Sequence, residues 1–213
     1  FFSANLSSRH MFCFCCCWLG SCIADLEMSH GGLTGTLPVE FGNLSRLDNL
    51  DLSGNSLSGT LPIDLLTKIQ AARVALDENS FLGTIGPDIG QLFWLVDVSL
   101  GRNLLTGPIP SDVGRLNGLL EHLSLEGNHL TGTLPSELGR LSWLQSLRLS
   151  GNRNISGTIP TEFANMADMR WMFLNDTQVT GTVPQELCDG LLGSGDDFTI
   201  RVDCVHVQCG CCE

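Results

Sequence analysis

The sequence is nearly without lysine. Lys68 is the single one in 213 residues, and Lys and Arg together number 11 against 23 Asp and Glu. A formal net charge of −12, with no basic stripe to offset it, repels phosphate backbones and anionic lipid and excludes nucleic acid as a partner. Also missing are a nucleophile elbow, a zinc-binding helix and a phosphate loop, so no enzyme, cofactor or metal is expected. No transmembrane segment is read: the apolar stretch from Met11 to Ala24 is too short to span a bilayer as a helix. Cysteine is absent from the whole middle of the chain. Cys13, Cys15, Cys16, Cys17 and Cys22 lie at one end, and Cys188, Cys204, Cys209, Cys211 and Cys212 at the other.

What fills the middle is a repeat. Leu-x-Leu-x-x-Asn recurs with its asparagine at Asn55, Asn79, Asn103, Asn128 and Asn152, in steps of 24 or 25 residues. Degenerate copies flank these, with Gly31 and Thr177 at the asparagine position, making seven units over residues 23–187. Alternating Leu-x-Leu is a short strand with one buried face. The asparagine can bond the backbone of a tight turn from inside the stack, where water does not reach. A glycine follows at 59, 83, 107, 132, 157 and 181, where the backbone needs a conformation or an approach that a Cβ would hinder. The returning stretch, such as Ser136 to Leu141, has apolar positions three apart and reads as a turn or two of helix or 3₁₀, kept short by glycines at 42, 90, 114 and 139. One unit buries too little to stand alone, so neighbours complete each other's core. Period and consensus together predict an α/β repeat fold, a leucine-rich repeat solenoid.

Leu57-Ser-Gly-Thr-Leu-Pro62, Leu105-Thr-Gly-Pro-Ile-Pro110 and Ile155-Ser-Gly-Thr-Ile-Pro160 resemble the LxGxIP half-repeat of plant-type leucine-rich repeat proteins. The resemblance implies a right-handed solenoid with short parallel strands on its concave face. It also implies an extracellular recognition role, as in receptor-like kinases, receptor-like proteins and polygalacturonase inhibitors. The partners it implies are a protein or peptide ligand, a cell-wall glycan and a membrane co-receptor. An inhibitor of a wall-degrading enzyme and a structural wall protein are the alternatives. Ile85-Gly86-Pro87 departs from the pattern, and a local distortion is expected there.

Cysteines confined to the ends read as disulfide-tied caps over the exposed apolar cross-sections of a solenoid, formed in an oxidising compartment. Residues 1–22 resemble a truncated N-terminal cap and equally fit a secretion signal. Residues 188–213 resemble the Cys-rich tail of algal leucine-rich repeat proteins, and the alternation in Phe198 to Asp203 suits a last strand. Sequons at Asn5, Asn43, Asn154 and Asn175 agree with export.

The repeat assigns side chains to the open face of the strand ladder, and two groups stand out. Trp171 and Phe173, with Arg148 and Arg170 beside them, have the composition of an interface anchor, or else pack against the C-terminal cap. Arg73, Asp77, Glu78, Asp97, Arg102, His122 and Glu126 form a charged middle suited to a polar or basic ligand, with His122 beside Glu126 and Asp97 as a pH-sensitive group. The alternative for this middle is a solvated face of internal ion pairs.

Overall fold

A computed structural model describes residues 24–185, 199–202 and 207–208. All ten cysteines and Asn5 lie outside the described residues, as do most of both predicted caps.

Each repeat contributes two strands, so the chain builds two parallel sheets of eight strands. The first, here the front sheet, takes the Leu-x-Leu segments from Asp25–Glu27 to Trp171–Phe173, and Thr199–Arg201 adds the last strand, as the alternation there predicts. The second, the side sheet, is made by the segments around the repeat glycine, such as Ser56–Thr60 and His129–Thr133. This sheet is a finding that the sequence reading missed. Its strands carry glycine and threonine at the positions where hydrophobic alternation would have shown them.

The core lies between these sheets and a layer of short 3₁₀ helices on the return path. Alternate strand residues point inward, and Leu26, Leu50, Val74, Val98, Leu123, Leu147, Met172 and Ile200 stack as one buried column. Phe41, Phe81 and Phe163 are the core's largest fully buried side chains.

The asparagines hold consecutive rungs in register. Asn103 is buried, its Oδ1 accepts the Phe81 N–H at 2.9 Å, and its Nδ2 donates to the carbonyls of Leu76, Leu100 and Gly101. Both ends of the amide are thus used, and both reach across the rung boundary, to Phe81 and to Leu76. Thr177 replaces asparagine in the seventh copy, and its hydroxyl donates to the Leu174 carbonyl at 2.6 Å.

The expected distortion at Gly86 does not occur. Gly86 adopts φ −73 and ψ 164, close to the φ −70 and ψ 143 of Pro110 at the equivalent place. Pro87 then begins the helix Pro87–Gln91, where a missing N–H costs nothing. The departure lies one repeat earlier. Pro62 has ψ 58, and Ile63–Ile69 forms an α-helix in place of the short 3₁₀ helix of the neighbouring repeats. Leu66 stands there where four other repeats have Gly42, Gly90, Gly114 and Gly139 and the sixth has Ala164. That glycine is needed for packing: a Cβ on Gly114 would meet the Glu137 carbonyl oxygen of the next rung at 2.5 Å.

Candidate functional site

Because the front strands pair rung to rung without a shift, their outward side chains form two rows. One runs Asp25, Asn49, Arg73, Asp97, His122, Ser146, Trp171, Thr199. The other runs Glu27, Asp51, Ala75, Ser99, Ser124, Arg148, Phe173, Arg201. Together they line a groove of about 640 Å³ that extends from Asn49 and Asp51 to Thr199 and Arg201.

Six of the nine predicted ligand-binding residues line this groove: Arg73, Asp97, His122, Arg148, Trp171 and Phe173. Glu126 borders a smaller depression of about 350 Å³ beside it, with Arg148, Ser150, Phe173, Asn175 and Arg201. Asp77 and Arg102 stand on the turns that follow their strands, outside the groove.

The charged middle resolves into cross-rung pairs. Arg73 Nε lies 3.4 Å from Asp97 Oδ2, Arg102 Nη1 lies 2.6 Å from Glu78 Oε1, and His122 Nε2 lies 4.0 Å from Asp97 Oδ1. Glu126 is partnered by Arg148, at 3.9 Å, rather than by His122. The Arg73 and Arg102 side chains remain about two-thirds exposed, and exposed pairs of this kind contribute little stability. Among the described residues no groove serine hydrogen-bonds to His122.

The C-terminal end of the groove is different. Phe173 has the Arg148 guanidinium 5.1 Å from its ring centroid and that of Arg201 at 5.7 Å, two cations on one ring. Trp171 stands half-buried two residues before it in the same strand. Arg201 is exposed and makes no ion pair among the described residues. Sequence reasoning missed Arg201, although its place between inward Ile200 and Val202 copies that of Phe173 between Met172 and Leu174. The opposite end carries Asp25, Glu27 and Asp51, so the front sheet is acidic at its first rungs and basic at its last.

The Leucine Rich Repeat family matches residues 46–67, 119–141 and 143–166. The BIR2 ectodomain from Arabidopsis thaliana shares 30% identity and superposes with TM-score 0.55 over 61% of this chain and 67% of that one. The chain belongs to the plant-type leucine-rich repeat family.

The Arabidopsis receptor kinase HAESA, solved in complex with the peptide hormone IDA and the co-receptor SERK1, is 27% identical with TM-score 0.79, over 91% of this leucine-rich repeat chain and 32% of that one. A plant ice-binding protein is 26% identical with TM-score 0.55, over 76% of this chain and 66% of that one. The chain spans about a third or less of the length of the larger receptors it matches. No curated protein matches it in sequence. Among the described residues no helix is long and apolar enough to cross a membrane.

Proposed function

We infer that this leucine-rich repeat chain is an extracellular, non-enzymatic recognition module that binds a peptide or an extended protein segment along the front-sheet groove. The observation that carries this reading is the cluster of Trp171, Phe173, Arg148 and Arg201 at one end of an open groove. Aromatic and arginine side chains supply contact area and directed hydrogen bonds at low entropic cost, which is why they dominate binding energy at interfaces. HAESA, a receptor of the same repeat type, is a peptide-hormone receptor by its own complex.

The charge gradient sets the ligand's orientation. A carboxylate or acidic residue of the ligand lies at Arg201, which no ion pair neutralises among the described residues, and a basic residue lies toward Asp25, Glu27 and Asp51. Arg148 is already shared with Glu126, which leaves Arg201 as the stronger anion contact.

The test is panning of a random linear peptide library on the purified chain. The expected result is enrichment of peptides that carry an acidic group next to an apolar residue and that lose binding to Arg201→Ala. A library that yields no binder, or binders indifferent to both Arg201→Ala and Trp171→Ala, contradicts the proposal.

A further inference from the structure

The side sheet has a chemistry unlike any other face of the molecule. Among the described residues no Asp, Glu, Lys or Arg falls in its strands, whereas the front-sheet strands carry seven. Its outward positions on either side of each repeat glycine are Ser or Thr in twelve of fourteen cases, and the two exceptions are the apolar Leu82 and Pro108. Among the described residues its strands carry no outward aromatic or arginine, the usual anchors of a protein or glycan partner.

The hydroxyls form a mesh that Leu82 and Pro108 interrupt. Successive side strands are staggered by a constant step, so that Thr84 stands opposite Thr106, Thr133 opposite Ser156, and Thr158 opposite Thr180, while Leu82 faces Thr60 and Pro108 faces Thr131. Neighbouring strands lie about 4.8 Å apart, and alternate residues along a strand about 6.6 Å apart. Hexagonal ice repeats its oxygens at comparable distances.

The side chains are also held in place. The methyl of Thr133 rests where a Cβ on Gly157 would meet it at 2.8 Å, and the methyl of Thr84 bears the same relation to Gly107. The hydroxyls of Thr106 and Thr180 donate to the Gly83 and Gly157 carbonyls, each at 3.2 Å, which directs their lone pairs outward. Little rotamer entropy is then left to lose on contact.

We propose that the side sheet is a second binding surface, whose ligand is crystalline water. An ice face is neutral and periodic, and it offers hydrogen-bond donors and acceptors on a fixed lattice. A charged side chain would hold its own hydration shell against that lattice, whereas an ordered array of hydroxyls and methyls matches it. Each contact is weak, and the regular array adds them along one rigid surface.

The experiment freezes a dilute solution of the chain slowly and measures the fraction taken into the ice. The chain is made in a host that adds no N-glycan, because Asn154 lies on this same sheet opposite Thr131. The unsubstituted chain is expected to enter the ice, and Thr84→Lys and Thr158→Lys, each placing a charge on the mesh, are expected to lose that partition with unchanged thermal unfolding. Val39→Lys, at a position 77% exposed on the helical side, is expected to retain it. Exclusion of the unsubstituted chain from ice overturns the proposal, and so does equal uptake of a folded Thr→Lys variant.

Discussion

The guanidinium of Arg148 lies 5.1 Å from the ring centroid of Phe173, on the neighbouring strand of the front sheet. Arg201 approaches the same ring from the following strand, at 5.7 Å. Two like charges thus share one aromatic surface, and among the described residues only Arg148 has a carboxylate within ion-pair distance, Glu126 at 3.9 Å. An anionic ligand group relieves that repulsion. Arg201→Ala is therefore expected to weaken binding of a selected acidic peptide by about 1–2 kcal/mol and to flatten its salt dependence. Titration at two ionic strengths checks this. An unchanged salt slope would remove Arg201 from the ligand contact.

Asn103→Ala should be among the costliest single changes in the repeats. It removes one acceptor and the donors to three carbonyls in a buried turn, leaving the Phe81 N–H without a partner. A loss of about 2–4 kcal/mol is expected from urea unfolding. Asn103→Asp restores the acceptor alone, buries a charge and is expected to be no better. Recovery of stability by aspartate would show that the donor half of the amide contributes nothing.

Two glycines at the same repeat position should respond differently to alanine. At Gly114 the new Cβ meets backbone, the Glu137 carbonyl oxygen at 2.5 Å, and the expected cost is about 1–3 kcal/mol. At Gly42 it meets the Lys68 side chain at 2.9 Å, which can swing aside, and the expected change is within about 0.5 kcal/mol. Equal effects in thermal unfolding would mean that the glycine serves the helix end rather than the contact between rungs.

The sequons divide by where the fold places them. Asn43 is exposed at the end of Val39–Asn43, and Asn154 is exposed on the side sheet, so a glycan at either leaves the groove open. Asn175 is half-buried beside Phe173 and Arg201, and a glycan there would stand over the binding end. Glycoforms separated by mass are expected to bind a selected peptide unless Asn175 is occupied. Full binding by an Asn175-glycosylated form would move the ligand to another part of the groove.

How much of this was legible in the sequence depended on whether the governing contact repeats. The asparagine spacing placed the outward residues of the seven Leu-x-Leu strands in their rows, because a constant period and unshifted pairing leave one register. It also placed Thr177 at the asparagine position, where the structure shows its hydroxyl reaching the Leu174 carbonyl. The side sheet was not legible: its strands pair through glycine and threonine, which carry no hydrophobic alternation. The distortion expected at Gly86 is absent because the turn asks only for an extended residue, which glycine supplies. The α-helix at Ile63–Ile69 is the reverse case: Leu66 in a glycine's place was visible, but its consequence lay in packing against the next rung. In the groove, Trp171 and Phe173 were found by composition, while Glu126 was matched with His122 because linear proximity stood in for the cross-rung geometry that gives it to Arg148.

The most direct test of groove recognition is paired measurement on Trp171→Ala: affinity for a peptide selected on the unsubstituted chain, and thermal unfolding of the free protein. A ligand anchor predicts a loss of about 2 kcal/mol in binding, roughly thirtyfold in Kd, with the melting temperature moved by less than about 2 °C. Unchanged affinity together with a marked fall in melting temperature would assign Trp171 to packing at the C-terminal end and contradict the account.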